Sequence, residues 1–167
     1  MKRRCRIVPA GWTQAVLLFL FLVGSTLLPG RDAVMAQRPC EPTPADIEGP
    51  FYRPGAPERT TTGEGLIVSG RLLGAPDCRP LPQGRIEWWH AAGSGRYDDA
   101  HRGSMKANPE GTYRFTTDVP GKYPGRPPHV HFKASAPGYR PLTTQLYLRG
   151  TEKEIGFDIV LVPLKQP

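Results

Sequence analysis

Cysteine, histidine and helical periodicity are scarce in this chain of 167 residues. Its three cysteines allow at most one internal disulfide, and it has only four histidines. No segment beyond the first forty residues repeats apolar residues at helical spacing over three turns. Internal repeats, low-complexity tracts and runs of basic residues beyond the N-terminus are missing as well. These absences argue against a helical domain and leave short strands as the main structural signal.

The first 36 residues have the layout of a secretory signal peptide. Four of residues 2–6 are basic (KRRCR), residues 15–23 (AVLLFLFLV) form an apolar run, and Val34-Met35-Ala36 supplies small residues for an export peptidase. A membrane anchor is the alternative, but the run is short against the roughly 20 apolar residues that a bilayer requires. We expect cleavage near Ala36, export to the periplasm or the extracellular space, and no stable membrane association afterwards. The pair Arg3-Arg4 leaves both the twin-arginine and the general secretory route open.

Removal of residues 1–36 also changes the charge of the chain. The formal net charge of the full sequence is +7, from 22 basic and 15 acidic residues. Five of the basic residues and one acidic residue lie in the predicted signal peptide, so the mature chain has a balance of +3. So small an excess, without a basic run, predicts no nucleic-acid partner.

Cys40 and Cys78 remain once Cys5 has left with the signal peptide. In an oxidising compartment two cysteines can form one internal bridge. We therefore predict a Cys40–Cys78 disulfide that ties the mature N-terminus to the domain. Closing a loop of about 40 residues would stabilise the fold by roughly 3–4 kcal/mol in the chain-entropy description.

Proline and glycine divide the mature chain into short pieces. Five prolines between residues 40 and 57 predict an extended, turn-rich lead-in over residues 37–64. Beyond it, apolar and β-branched residues alternate with polar ones between Gly/Pro turns, as in strands. The six predicted strands are residues 65–73, 85–89, 112–116, 129–134, 143–148 and 155–162.

This pattern indicates an all-β sandwich or barrel. We favour a single β-sandwich of short, mostly antiparallel strands over residues 65–167. The core is small, so a disulfide and a bound metal would both add stability. Its predicted members are Ile67, Leu72, Ile86, Trp88, Phe115, Ile159 and Leu161.

The sharpest local motif is His129-Val130-His131. Because side chains alternate along a strand, His129 and His131 project together, while Val130 and Phe132 face the core. The two histidine Cα atoms would lie about 6.5–7 Å apart, so both imidazoles could meet at one metal. Two half-exposed strand histidines would explain the pair alone equally well.

The surrounding segments decide between these two explanations. They are Glu48–Tyr52 (EGPFY), Gly95–Tyr97 (GRY), Pro120–Pro124 (PGKYP), Arg126–His131 (RPPHVH) and Thr144–Tyr147 (TQLY). Together these segments resemble the intradiol ring-cleavage dioxygenases, the family of ferric enzymes that cleave protocatechuate and catechol. The resemblance runs from about residue 46 to about residue 150, nearly the whole mature domain.

The resemblance implies that one ferric iron per chain is bound by four side chains. Tyr97 and Tyr123 match the two tyrosinate ligands of the family, and His129 and His131 match its two histidines. In the family pattern Tyr123 and His129 are axial, whereas Tyr97 and His131 are equatorial. Tyr123 is the ligand expected to leave on substrate binding, and it would then hold a substrate proton.

Two further residues and the reaction follow from the same resemblance. Arg126 matches an arginine beside the substrate, where it would stabilise developing negative charge. Gln145 matches a glutamine behind the ligands. The implied enzyme inserts both atoms of O2 into a catechol-type ring and opens it between the two hydroxylated carbons. The product would be a muconate-type diacid.

The chemistry of the proposed ligands agrees with ferric iron. A phenolate oxygen is a hard anionic donor, and a trivalent ion can draw off the phenolic proton well below its usual pKa near 10. Zinc more commonly recruits cysteine, histidine or carboxylate. Ferrous oxygenases usually show two histidines and a carboxylate. Neither alternative set fits this sequence as well.

Two other functions compete with the dioxygenase. A copper/zinc superoxide dismutase also uses a His-x-His pair, but its site needs more histidines than this chain has. An exported, non-catalytic β-sandwich binding module is the second alternative, against which the retention of four ligand positions and Arg126 argues. The remaining histidines, His90 and His101, are predicted to be structural or solvent-exposed.

The interval between Tyr97 and Tyr123 is short for the family, so loops that would cover the substrate are reduced. An open site would suit larger catechols, although the sequence leaves the substrate undefined. The oligomeric state is open too, and the family often builds homo-oligomers.

Overall fold

The computed structural model describes residues 40–122 and 125–165 of the chain. The predicted signal peptide lies outside the described residues, as does Tyr123, so signal cleavage and export stay predictions. Among the described residues, no helix is long and apolar enough to cross a membrane.

Ten strands make up the regular structure of the described chain, and no helix occurs among these residues. Short segments and frequent turns follow from the abundance of glycine and proline. In chain order the strands are β1 (Thr61–Thr62), β2 (Gly65–Gly74), β3 (Arg79–Pro80), β4 (Arg85–Trp89), β5 (Arg102–Lys106), β6 (Thr112–Asp118), β7 (His129–Ser135), β8 (Leu142–Tyr147), β9 (Glu154–Gly156) and β10 (Ile159–Leu161).

The strands form two sheets, which confirms the predicted sandwich. The first sheet has the order β1-β6-β2-β10, with β3 and β9 also paired to β2. The second sheet has the order β5-β4-β7-β8, and all its pairs are antiparallel. Parallel pairing is confined to β1-β6, β2-β9 and β2-β10 among the described strands, so mostly antiparallel pairing is confirmed.

The core consists of the facing sides of the two sheets. Trp88 of β4 and Phe115 of β6 stack at its centre, with ring centroids 4.0 Å apart. Val130 and Phe132 of β7 are fully buried beside them. Burying such a side chain stabilises the fold by roughly 1.5–3 kcal/mol. Six of the seven predicted core residues are confirmed: Leu72, Ile86, Trp88, Phe115, Ile159 and Leu161.

The prediction for the seventh, Ile67, is wrong. Its neighbours Leu66 and Val68 are fully buried, and strand alternation therefore directs Ile67 to the opposite face of β2. Three consecutive apolar residues at this point leave the phase of the strand ambiguous in the sequence.

The single strand predicted over residues 155–162 is two strands, β9 and β10. Both pair with β2 in parallel, and Phe157 and Asp158 connect them. The carbonyl oxygen of Phe157 lies so close to Gly70 that a Cβ there would come within 2.0 Å of it. The Asp158 carboxylate accepts hydrogen bonds from the backbone (2.8 Å) and the guanidinium (2.6 Å) of Arg71. These contacts hold the break in place.

The lead-in runs without strands until β1, which begins inside the predicted extended segment at Thr61. The predicted Cys40–Cys78 disulfide is confirmed. Beyond it, a series of contacts ties the lead-in to the second sheet, and three of them mark its course. The Asp46 backbone N–H donates to the Thr143 carbonyl (3.0 Å), Glu48 pairs with Lys133 (2.5 Å), and the Tyr52 hydroxyl donates to Glu87 (3.4 Å).

His90 and His101 are structural, as predicted, and they have opposite protonation preferences. His90 is fully buried, hydrogen-bonded to the Ala91 carbonyl and the Thr117 hydroxyl, and burial lowers its pKa to about 4. His101 lies between Asp98 (2.6 Å) and Asp118 (3.0 Å). Burial alone would lower the pKa of His101, but hydrogen bonds to the two carboxylates raise it above its ordinary value.

The paired carboxylates predict a pH-dependent contribution of His101 to stability. Because its pKa is higher in the folded state, this contribution is fully present below about pH 6.5 and is lost as pH rises through the raised value. The Tm of His101→Gln should lie a few degrees further below that of wild type near pH 6 than near pH 9, as measured by thermal unfolding. The comparison with the variant is needed because His90 has a lowered pKa and therefore changes the stability of the wild type with pH in the opposite direction. An equal gap at both pH values would contradict the prediction.

Candidate metal-binding site

The predicted histidine pair lies on the outer face of the second sheet. Val130 and Phe132 turn into the core, and His129 and His131 project together on the other side of β7. The strand ladder places Trp89 of β4 and Gln145 of β8 directly opposite His131. The lead-in covers this face, so both histidines are nevertheless buried. The predicted alternation is therefore confirmed.

Three of the four predicted ligands are brought together. The Nε2 atoms of His129 and His131 are 3.1 Å apart, and the Tyr97 Oη lies 3.5 Å and 3.2 Å from them, respectively. Donors bound at about 2.0–2.1 Å to one ion at near-right angles would be separated by about 3 Å. The three atoms thus have the spacing of ligands that share a metal. Tyr123, the fourth predicted ligand, lies outside the described residues and stays a prediction.

Tyr97 lies in a tight loop that follows β4. The backbone N–H of Ala92 donates to the Arg96 carbonyl (2.7 Å), and that of Gly95 donates to the Ala92 carbonyl (2.8 Å). Gly95 has a φ of 79°, which favours glycine. The ring of Phe51 stacks on Tyr97 with centroids 4.4 Å apart. Loop and lead-in together fix the orientation of the phenol.

The two histidine rings are held in different ways: a hydrogen bond orients His129, and burial favours the neutral form of His131. The Nδ1 of His129 lies 2.8 Å from the Pro127 carbonyl, which fixes the proton on Nδ1 and leaves the Nε2 lone pair available. His131 stacks on Trp89, with centroids 4.9 Å apart. Burial, followed by the charges of His129 and Arg126, lowers the pKa of His131 to about 3.

Among the described residues, no carboxylate joins the three donor atoms. Within residues 40–122 and 125–165, no cluster of three or more His, Cys, Asp or Glu side chains could hold a metal ion. The third donor beside the two histidines is the Tyr97 phenol instead. Among the described residues the site therefore matches neither a two-histidine, one-carboxylate centre nor a typical zinc site.

Arg126 and Gln145 contact each other beside the histidines. The Gln145 Nε2 donates to the Ile47 carbonyl (2.6 Å), which turns its Oε1 towards the Arg126 Nη2 at 3.0 Å. The same Nη2 donates to the Tyr147 hydroxyl at 2.6 Å, and this hydroxyl donates to Asp46 at 2.9 Å. Gln145 thus supports Arg126, a more specific role than the sequence predicts.

Sequence reasoning assigned no role to Tyr147 or Asp46. Tyr147 is two residues beyond Gln145 on β8, so strand alternation could have placed it on the same face. Nothing local links it to Asp46, which is 101 residues earlier. The backbone N–H of Ile47 and then the Tyr147 hydroxyl hold the pKa of the Asp46 carboxyl below its ordinary value.

A cavity of about 220 Å³ opens beside the three donors. Its described walls are mostly apolar, and Arg126 is the one cation among them. This volume lies below the roughly 300–1,000 Å³ of pockets for drug-sized ligands, so it suits a one-ring compound. The described lining residues are Ile47, Gly49, Pro50, Phe51, Tyr97, Arg126, His129 and His131.

Known proteins are similar to this chain in sequence and in fold. A family model described as a dioxygenase matches residues 47–126. The solved dioxygenase domain of a dioxygenase carbohydrate-binding protein fusion from Streptomyces sp. SirexAA-E is 35% identical, with a TM-score of 0.67. That match covers 74% of this chain and 100% of the solved domain. The chain belongs to the intradiol ring-cleavage dioxygenases.

Other members of this family match over part of their length. Catechol 1,2-dioxygenase 2 of Acinetobacter lwoffii is 35% identical over 143 residues, which cover 65% of this chain and 52% of that relative. The structure of catechol 1,2-dioxygenase from Acinetobacter sp. ADP1 is 27% identical, with a TM-score of 0.65, and the match covers 74% of this chain and 63% of that one. The chain thus spans about half to two thirds of the length of these two intradiol dioxygenases. The resemblance read from the sequence motifs is confirmed.

Proposed function

We propose that this intradiol family member is a non-haem Fe(III)-dependent dioxygenase. It would insert both atoms of O2 into a catechol-type ring and open the ring between the two hydroxylated carbons, giving a muconate-type diacid. The convergence of Tyr97, His129 and His131 at the wall of a one-ring cavity carries the proposal. Catechol and hydroxyquinol 1,2-dioxygenases among its relatives support the substrate class.

The donor set fits ferric iron. Two imidazole nitrogens and a phenolate oxygen suit a hard trivalent ion, and Tyr123 is proposed as the fourth ligand. When bound there, ferric iron would take electron density from the two oxygens of a catechol and so open its ring to attack by O2. The buried surroundings of the two histidines would limit competition by water.

The side chains divide the remaining tasks. Tyr123, through its Oη, is proposed to take a proton from a substrate hydroxyl. Arg126 uses both hydrogens of Nη2 on Gln145 and Tyr147, so its Nε and Nη1 donors stay available among the described residues. These donors would bind a substrate oxygen and stabilise negative charge as it develops on the ring. Ile47, Pro50 and Phe51 would contact the ring itself.

The apolar rim of the cavity bears on the size of the substrate. Ile47 is 60% and Phe51 41% exposed, although both line the cavity. Large apolar side chains at an open mouth would contact a substituent that extends out of the site. We propose that catechols with such a substituent are accepted.

Iron content, colour and oxygen uptake test the proposed function together. Iron-loaded protein should be burgundy, from charge transfer between tyrosinate and iron, and should consume O2 with at least one of catechol, protocatechuate, hydroxyquinol and caffeate. Chelation should remove both colour and uptake, and added iron should restore them. Colourless, iron-replete protein would rule out the coordination. Coloured protein that consumes no O2 with any of the four would favour the binding module.

The compartment is part of the same proposal. The signal-like residues 1–36 and the disulfide support an exported enzyme, since such bridges persist in oxidising environments. Cell fractionation with mass determination of the mature N-terminus would test cleavage near Ala36.

A further inference from the structure

Arg126, the cation proposed to bind the substrate, is held by two residues outside the set of metal ligands, Tyr147 and Asp46. These two residues are called the arm. The arm runs from the Arg126 Nη2 through the Tyr147 hydroxyl to the Asp46 carboxylate, with distances of 2.6 Å and 2.9 Å. Tyr147 lies on β8, whereas Asp46 lies in the lead-in. The arm therefore joins the second sheet to the segment that covers it.

The direction of each hydrogen bond in this arm is fixed by chemistry. A guanidinium can only donate, so the Tyr147 Oη must accept from Arg126. The one hydroxyl hydrogen of Tyr147 is then directed to Asp46, whose carboxylate can only accept. Removal of the carboxylate would free this hydrogen to turn elsewhere. Asp46 thus determines how well Tyr147 accepts from Arg126.

Two hydrogen bonds of its own fix the position of Asp46. The Asp46 Oδ1 accepts the Ile47 backbone N–H at 2.7 Å, and the Asp46 backbone N–H donates to the Thr143 carbonyl at 3.0 Å. Its Oδ2 is left for Tyr147. Tyr147 is 43% exposed, and its hydroxyl makes both bonds at the surface rather than inside the core. Loss of this hydroxyl is therefore expected to cost the fold little stability.

We propose that Tyr147 and Asp46 are positioning residues that hold the Arg126 guanidinium at the cavity wall, already oriented for substrate. This inference rests on the proposed function, because it assigns to Arg126 a substrate in that cavity. Without the arm, Gln145 is the sole described residue that holds the guanidinium by a hydrogen bond. Arg126 would then sample several orientations, and a catechol would have to select one of them on binding.

Tyr139 offers a matched control for Tyr147. Its hydroxyl accepts from the Arg79 Nε at 2.6 Å, and the Arg79 Cζ lies 5.5 Å from its ring centroid. The corresponding values for Arg126 and Tyr147 are 2.6 Å and 5.7 Å. Tyr139 lies in the loop between β7 and β8, away from the residues described above for the cavity. Tyr139→Phe therefore removes the same kind of bond at another place.

The test compares Tyr147→Phe and Tyr139→Phe in iron-loaded protein. Titration with 4-nitrocatechol without O2 gives the dissociation constant, and oxygen uptake with catechol gives kcat and KM. Tyr147→Phe should weaken nitrocatechol binding and lower kcat/KM by about tenfold, the effect of one hydrogen bond to a charged group. Iron content and Tm should stay at wild-type values. Tyr139→Phe should leave both binding and kcat/KM unchanged.

A double variant tests whether Asp46 acts through Tyr147. In Asp46→Asn, one oxygen can keep the Ile47 bond, while the new amide group would donate to Tyr147 rather than accept from it. We expect an effect between wild type and Tyr147→Phe. The double variant Asp46→Asn/Tyr147→Phe should be no worse than Tyr147→Phe alone.

Three results would overturn the inference. Equal behaviour of Tyr147→Phe and Tyr139→Phe would show that the arm does not position Arg126. A double variant that multiplies the two single effects would show that Asp46 does not act through Tyr147. Wild-type protein that neither binds nitrocatechol nor consumes O2 with catechols would remove the proposed function as well, so the two failures are distinguishable.

Discussion

Replacing Tyr97 by phenylalanine is expected to strip the protein of iron. Loss of a residue that merely orients a ligand typically weakens metal binding by about 10–100-fold. Tyr97 supplies a donor atom itself, so its loss should weaken iron binding by more than about 100-fold. The Phe ring can keep the stack on Phe51, which limits any effect on the fold. Iron analysis after gel filtration, with the visible spectrum, measures the result.

Tyr52→Phe is the matched control for this experiment. Tyr52 also lies at this face, with its ring 4.9 Å from that of Trp89, but its hydroxyl donates to Glu87 rather than meeting the histidines. Tyr52→Phe should keep its iron and its colour. Full iron occupancy in Tyr97→Phe would show that the phenol is not a ligand, whether or not the protein is coloured.

The strands that could be predicted are those whose own residues carry the pattern. In β6, Tyr113 and Phe115 alternate with polar neighbours, and both are buried as expected. In β7, the alternation places two histidines on one face and Val130 on the other. Local alternation suffices here because one face of each strand meets an apolar core.

Strand β5 was missed for the opposite reason. Its sequence RGSMK has almost no apolar alternation, and Gly103 has no side chain to bury. A Cβ at Gly103 would come within 2.4 Å of the Trp88 ring, so this strand is shaped around a residue of its neighbour. Such a constraint is tertiary, and no local pattern carries it.

The candidate site shows the same division between local and tertiary information. The His129/His131 pair follows from strand geometry, and Tyr97 joined it only through the family resemblance. The contact between Asp46 and Tyr147 spans 101 positions and depends on where the lead-in crosses the second sheet. A proline-rich segment without periodicity gives no register from which to predict such a crossing.

Replacing Arg126 by alanine is expected to leave the iron in place and to remove most of the turnover. Arg126 makes its described hydrogen bonds to Gln145 and Tyr147 rather than to the ligand atoms. Loss of a donor that stabilises developing charge typically costs about 10²–10³ in kcat. Oxygen uptake and iron analysis on the same sample check both halves of the expectation. A variant that retains kcat within about threefold of wild type would contradict the assigned role.

Arg126→Lys and a double variant separate charge from orientation. Lysine keeps the positive charge as a single ammonium group, but it cannot bind Gln145 and Tyr147 while also presenting a guanidinium fork to substrate. We therefore expect Arg126→Lys to fall between wild type and Arg126→Ala. Because Tyr147 acts only by holding the guanidinium, Arg126→Ala/Tyr147→Phe should be as active as Arg126→Ala. A further loss in the double variant would mean that Tyr147 contacts the substrate itself.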